Sequence, residues 1–155
     1  MASDDSEYTA SRTKANYKDV FYQGAALIII RLHDTFPFPD DIQEVSRSLD
    51  AYHLREAFQF TLEFLERAKI IRRFKQEVYR EGSDMDLSRF DLMWSLGAQT
   101  YNELQLKVAD LALGASGETT IQLLKKTLRE KEVDVRRQMI KRQIDNIMRA
   151  CTRVG

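Results

Sequence analysis

The sequence has few of the residues from which metal sites, disulfide frameworks and phosphate-binding loops are built. It contains one cysteine, two histidines and six glycines among 155 residues. One cysteine cannot close an internal disulfide, and a zinc cluster or a glycine-rich phosphate loop needs more ligands or glycines at short spacing. We therefore expect neither a metal nor a cofactor.

Long apolar runs are also missing. The longest extends from Gly24 to Ile30, whereas a membrane-spanning helix needs about 18 or more apolar residues. The first seven residues are acidic and polar, unlike the basic and apolar start of a secretory leader. We expect no membrane association and a cytoplasmic location.

The chain has no excess charge of either sign, because 24 Lys and Arg residues balance 24 Asp and Glu residues. This balance hides a division along the chain. Residues 1–119 hold 14 basic and 20 acidic side chains, a net charge of −6, whereas residues 120–155 hold 10 basic and 4 acidic ones, a net charge of +6. The basic segment either only solvates a helix or contacts an acidic surface, which is nucleic acid or the acidic body of its own or another protomer.

Apolar spacing predicts three helices in the first half of the chain. Residues 1–15 are small and polar, which predicts a flexible tail. A buried helix is predicted from Tyr17 until the prolines of Phe36-Pro37-Phe38-Pro39. A short helix follows Asp40, and Asp50 can cap a third. The apolar stripe of the third helix consists of Leu54, Phe58, Leu62 and Leu65, widened by Ala57, Phe64 and Ala68.

The periodicity changes from helical to alternating after Lys69. Residues from Ile70 to Val78 alternate as in a strand, and residues from Phe90 to Leu96 do so again after a turn-rich segment around Gly82. The two runs are predicted to pair as an antiparallel ribbon. The predicted fold class is therefore mainly α with a small antiparallel β-hairpin, an α+β fold.

A helical period returns between Ala98 and Leu113, and Gly114-Ala115-Ser116-Gly117 then indicates a hinge or linker. From Thr119, a capping-box spacing and apolar residues at helical intervals predict one long helix of roughly 30 residues, about 45 to 50 Å in length. Such a helix would extend past a domain of about 25 to 30 Å and leave apolar residues in water, so a homodimer is expected. The predicted interface residues are Ile121, Leu124, Leu128, Val135, Met139 and Ile147.

The order of three helices and a two-stranded ribbon resembles a winged-helix domain of the helix-turn-helix superfamily. The third helix runs directly into the first strand through residues 65–72, LERAKIIR, and residues 96–100, LGAQT, partly match a Leu-Thr-x-x-Gly-type signature. The resemblance covers Tyr17 to Leu113. It implies a winged-helix domain over residues 16–113 and a helical extension over residues 118–152.

The resemblance implies that the third helix is a recognition helix and that the ribbon is a wing. Arg55 and Gln59 would then face the major groove, where Arg and Gln can read guanine and adenine edges. Basic residues of the ribbon would contact the DNA backbone: Arg72, Arg73, Lys75, Arg80 and Arg89. The predicted function is a non-enzymatic, DNA-binding dimer of the transcriptional-regulator kind. The third helix has two positive and three negative exposed charges, which favours the alternative, a protein-protein interaction adaptor that uses the winged-helix fold without binding nucleic acid. An acidic protein is a further candidate partner.

His33, His53 and Cys151 are the side chains from which a metal or nucleophilic site would be built. Neither histidine has the His-Glu-x-x-His spacing or a nucleophile pattern beside it. Cys151 falls on the apolar stripe of the last helix, where a small hydrophobic residue would serve. We therefore expect structural roles for all three and no enzymatic activity. Phe36-Pro37-Phe38-Pro39 either turns the chain and fills the core or, where exposed, docks a partner.

Overall fold

The structure is a computed structural model that describes residues 2–48, 55–74 and 93–152. These ranges contain α-helices and one pair of short strands, which confirms the predicted α+β class with a small antiparallel sheet. The elements are α1 (Ala2–Thr35), α2 (Gln43–Ser48), α3 (Arg55–Arg67), β1 (Ile71–Arg73), β2 (Trp94–Leu96), α4 (Ala98–Leu104), a 3₁₀ turn (Leu111–Leu113), α5 (Thr120–Thr127) and α6 (Val133–Thr152).

Helix α1 is the central element, because it contacts both α3 and α6. Its buried residues occupy more than one helical face, as expected for a helix that is covered on several sides. They include Ala25, Ala26, Ile28, Ile29 and Leu32. The predicted start at Tyr17 is corrected to Ala2, so the helix includes residues 2–15 of the predicted tail. That segment contains no glycine or proline, and a helix that has already formed extends along such residues at little cost.

Strands β1 and β2 pair in an antiparallel register that places Ile71 opposite Leu96 and Arg73 opposite Trp94. The predicted antiparallel pairing is thus confirmed, and residues 75–92 of the predicted ribbon lie outside the described part of the chain. Asp40 pairs with β2 on the edge opposite β1. Its backbone N donates to the carbonyl of Trp94 at 2.8 Å, and the Trp94 N donates to the carbonyl of Asp40 at 2.9 Å.

The junction between α3 and β1 depends on Lys69, a non-glycine residue in the left-handed region with φ of 63°. The N–H of Lys69 donates to the carbonyl of Glu66, and that of Ile70 donates to the carbonyl of Leu65. These bonds satisfy carbonyls at the end of the helix, as in common C-terminal capping motifs. Gly97 crosses close to this junction, since a Cβ at position 97 would lie 2.8 Å from the carbonyl oxygen of Lys69. The turn therefore fixes where the Lys69 backbone lies relative to the ribbon.

The long C-terminal helix predicted from the sequence is two helices, α5 and α6, separated by residues 128–132. The capping box at Thr119 is confirmed, because Thr119 and Gln122 exchange hydrogen bonds of 3.3 and 3.0 Å. Residues 129–132, REKE, have no apolar side chain that would hold a continuous helix against the core. The expected length is therefore corrected: α6 has 20 residues and spans about 30 Å. Helix α4 likewise ends at Leu104 and not at Leu113.

Helices α5 and α6 pack into the same core as α1. Ile121, Leu124 and Ile147, which were predicted to join two protomers, are buried inside this core. The interface prediction is corrected for these three residues, since their side chains are covered by the chain itself. Leu128 and Met139 are half-buried, and Val135 is 37% exposed. In the described residues, no helix is apolar over a length that would cross a membrane.

Candidate interaction surfaces

The outer face of α3 combines polar and aromatic side chains. Gln59 is exposed, as predicted for a base-reading residue. Its neighbour Phe60 is 68% exposed, Phe64 is 50% exposed, and Glu63 lies between them on the same side of the helix. The side chain of Arg55, the other predicted base reader, lies outside the described part of the structure. The described outer face of α3 therefore presents large aromatic side chains beside its polar ones.

Two exposed aromatic side chains of α3, Phe60 and Phe64, lie near Phe21 of α1 or one helical turn from the residue that contacts it. Residues four apart on a helix project from the same side, so Phe60 and Phe64 share one side of α3. Phe64 packs edge-on against Phe21, with ring centroids 5.2 Å apart. We call these three residues the aromatic face. Phe64 was predicted from the sequence to lie in the core stripe, and Phe60 was not singled out, because periodicity does not show which apolar residues at the margin of a stripe are covered.

Three basic side chains lie together where α3 meets β1, and we call them the basic cluster: Lys69, Arg72 and Arg73. All three are exposed. Arg73 pairs with Glu66 at 3.3 Å, whereas in the described ranges no carboxylate lies within ion-pair distance of Lys69 or Arg72. Arg72 and Ser95 are opposite each other on the two strands, and alternation places them on the face away from buried Ile71.

The basic cluster lines an open groove of about 740 Å³. The groove also contains hydrogen-bonding and apolar groups: Pro37, Pro39, Ser95, Gln99 and Phe74. Arg72 and Arg73 were predicted from the sequence as phosphate-contacting residues, and Lys69 was not. Its position at the end of a predicted helix gave no indication that the turn would bring it beside the strand. Lys75, Arg80 and Arg89 lie outside the described residues.

Unlike Lys69 and Arg72, four cations of α5 and α6 pair with carboxylates of the acidic part of the chain. These pairs are Lys125 with Asp34 at 2.8 Å, Lys126 with Glu118 at 3.3 Å, Arg137 with Asp19 at 3.1 Å and Arg142 with Asp110 at 2.6 Å. All four carboxylates belong to residues 1–119. Of the possibilities left open by the sequence, these contacts favour the acidic body of the same protomer as the surface that the basic segment meets.

Asp110 has the most extensive set of donors among these carboxylates. It accepts two hydrogen bonds from Arg142, at 2.6 and 3.1 Å, one from Asn146 at 2.8 Å and one from the N–H of Ala112 at 3.1 Å. The donors, first of all Arg142 and then Asn146, hold the pKa of Asp110 well below its usual range. Asp110 thereby fastens the 3₁₀ turn to α6.

The isolated reactive side chains take part in packing. His33 stacks on Tyr101 with centroids 5.3 Å apart, and Phe36 stacks on the same ring at 4.1 Å. Burial raises the pKa of the half-buried Cys151 thiol, which keeps it in the less reactive protonated form. The side chain of Phe38, in contrast to that of Phe36, is 73% exposed. His53 lies outside the described residues.

Comparisons of the chain with models of protein families, with curated proteins and with solved structures found no match. Among the side chains that the structure describes, no three His, Cys, Asp or Glu residues are placed to hold a metal ion together. The two surfaces with a distinct chemistry near α3 are thus the basic cluster and the aromatic face.

Proposed function

We propose that the chain is a non-enzymatic binding module of winged-helix type that contacts the phosphates of duplex DNA through the basic cluster. The observation that carries this proposal is the exposure of Lys69 and Arg72 without a carboxylate partner in the described residues. Unpaired cations on one surface are what a phosphate backbone needs, because binding energy comes largely from the release of counterions. The order of α1, α2, α3, β1 and β2 agrees with the winged-helix resemblance.

The chemistry of α3 supports a backbone-contacting mode in which α3 contributes little sequence discrimination. Glu63 would repel phosphates, and the apolar rings of Phe60 and Phe64 would make no favourable contact with a charged backbone. Gln59 is the exposed side chain on the described part of α3 that can pair with an adenine edge. We therefore expect that the ribbon side of the molecule, rather than the centre of α3, contributes most of the affinity.

A salt titration tests this proposal. The complete chain is titrated into a labelled 20-base-pair duplex at 50 and 200 mM NaCl, with fluorescence anisotropy as the readout. If Lys69 and Arg72 each neutralise one phosphate, the slope of log K against log salt is about −1.8, which corresponds to a roughly 12-fold loss of affinity between these salt concentrations. Absence of binding at 50 mM NaCl would remove the proposal.

A matched pair of variants locates the surface. Arg72→Gln keeps the length and polarity of the side chain but removes one charge, so it should reduce the magnitude of the salt slope by about 0.9. Arg129→Gln removes an exposed charge far along the chain, after α5, and should leave the slope unchanged. An unchanged slope in Arg72→Gln would place the DNA contact elsewhere.

The aromatic face favours a second candidate function, a protein-interaction adaptor. Exposed aromatic side chains on the surface of a folded protein commonly anchor protein interfaces. In this case the complete chain should retain one stoichiometric protein partner, or a second copy of itself, after nuclease treatment. Phe60→Ser combined with Phe64→Ser should abolish that complex, whereas Phe38→Ser, which changes an exposed ring outside the aromatic face, should preserve it. Retention of the complex by the double variant would contradict the adaptor candidate.

A further inference from the structure

A groove of about 530 Å³ runs along α6 beside the 3₁₀ turn, away from the basic cluster in sequence and sharing none of its residues. Part of its lining is apolar, from Ala112, Leu113 and Met139. The rest is polar, and half of these residues are cationic: Gln138, Lys141, Arg142, Asp145, Asn146 and Arg149. We call it the α6 groove.

The charge of the α6 groove is positive, since its lining contains three basic side chains and one acidic one. Arg142 is held by Asp110, and Asp145 accepts a hydrogen bond from the hydroxyl of Tyr22 at 3.0 Å. Lys141 and Arg149 are exposed, and within the described ranges neither has a carboxylate partner. Two cations thus remain available to a ligand. They are eight residues apart on α6, which corresponds to about 12 Å along the helix axis.

One wall of the α6 groove, the 3₁₀ turn, is held against α6 by hydrogen bonds. Asp110 ties the 3₁₀ turn to α6 through Arg142 and Asn146, as described above, and Gly114 ends the turn in the left-handed conformation with φ of 64°. Leu113 is buried, which anchors the turn from below, and Leu111 next to it is 95% exposed. A surface that is already ordered loses little conformational entropy on binding.

We propose that the α6 groove binds an acidic amphipathic helical segment of a protein partner. Apolar side chains of that segment would contact exposed Ala112 and half-buried Met139, and two of its carboxylates would pair with Lys141 and Arg149. A helix presents side chains two turns apart at nearly the same separation as these two cations, so the expected ligand has Asp or Glu at positions i and i+7 or i+8 with apolar residues at i+3 and i+4. This is the helix-in-groove mode of recognition.

The α6 groove suits this ligand better than it suits nucleic acid or a basic segment. A phosphate backbone offers nothing apolar to Ala112 and Met139. A basic segment would be repelled by Lys141, Arg142 and Arg149. The site is independent of the DNA proposal, because it uses other residues and another class of partner.

A random library of 12-residue peptides, selected against the complete chain, tests this inference without assuming a sequence. The expected result is enrichment of peptides with two acidic residues seven or eight positions apart and apolar residues between them. Enriched peptides should then bind the wild-type chain at 50 mM NaCl at least ~10-fold more tightly than the Lys141→Glu/Arg149→Glu variant. The control is Arg129→Glu/Lys131→Glu, which reverses two exposed charges outside the groove and should bind like the wild type.

Three outcomes would overturn the inference. The first is that no peptide is enriched, or that enriched peptides lack acidic residues. The second is that the groove variant and the control bind the peptides equally, with circular dichroism showing that both are folded. The third is that a DNA duplex loses as much affinity through Lys141→Glu/Arg149→Glu as through changes at Lys69 and Arg72, which would make the groove part of a nucleic-acid surface.

Discussion

Lys69 and Arg72 near β1 have the same charge as Lys125 and Arg137 of α5 and α6, yet the two sets have different surroundings. Lys125 and Arg137 lie within 2.8 and 3.1 Å of Asp34 and Asp19. Lys69 and Arg72 have no such partner among the described residues. The net charge of a segment therefore says little about where free charge remains after folding. Part of the positive charge of the basic segment is paired with carboxylates of the same chain. The acidic part of the chain, by contrast, has a small cationic surface at Lys69 and Arg72 with no carboxylate partner in the described residues.

The largest expected effect tests whether the basic C-terminal region is an integral part of the core or a separable extension. Ile144 of α6 is fully buried, so Ile144→Ala should lower the free energy of unfolding by about 2 to 5 kcal/mol. Urea unfolding, followed by circular dichroism, measures this. Val135→Ala, on the exposed side of the same helix, should cost well under half as much. Equally small changes in the unfolding free energy of the two variants would instead support the separate C-terminal extension predicted from the sequence.

The next largest effect should separate the cations that have no carboxylate partner in the described residues from those that are paired. Lys69→Gln/Arg72→Gln should weaken duplex binding at 50 mM NaCl by about 10- to 100-fold, because two phosphate contacts are lost, and should leave the free energy of unfolding nearly unchanged. Lys125→Gln/Arg137→Gln should do the opposite: unchanged binding and a slightly lower stability. Anisotropy and urea unfolding on the same protein samples measure both. If the two variants weaken DNA binding equally, pairing does not distinguish the two sets.

The course of the fold up to β2 could largely be predicted from the sequence, because apolar spacing and prolines are local signals. The stop at Phe36-Pro37-Phe38-Pro39, the stripe on α3 and the change of period after Lys69 all correspond to observed elements. The break between α5 and α6 was missed, since residues 129–132 contain no glycine or proline to mark it. Only packing of Ile121 and Ile144 into one core requires the chain to turn there.

The surfaces were harder to predict than the fold. Arg72 and Arg73 followed from the predicted strand, but Lys69 joins them only through its left-handed turn. The exposure of Phe60 and the pairing of Asp110 with Arg142 depend on contacts between residues far apart in the sequence. Periodicity gives the direction of a side chain relative to its own helix and contains no information about what covers that side.

A smaller and pH-dependent effect concerns Asp110, the most heavily hydrogen-bonded partner of the paired cations. Because the folded state lowers its pKa, its contribution to stability is present above the ordinary Asp pKa of about 3.9 and is lost as the pH falls below that value. The difference in unfolding free energy between the wild type and Asp110→Asn should therefore be largest above about pH 5 and shrink toward pH 2. Arg142→Gln should reduce this pH dependence without abolishing it, because Asn146 and the N–H of Ala112 still donate. A difference that is constant with pH would contradict the assigned cause.

The smallest effect should come from a paired cation at the surface. Arg137 and Asp19 form an ion pair at 3.1 Å, with both side chains partly exposed. Such pairs contribute between about 0 and 1 kcal/mol, so a double-mutant cycle of Asp19→Asn and Arg137→Gln should give a coupling energy in that range. The coupling should fall further at 1 M NaCl, where the screening length is about 3 Å. A coupling energy well above this range would mean that the ion pair holds α6 strongly against α1. The charges of the basic segment, and not only its buried isoleucines, would then stabilise the fold.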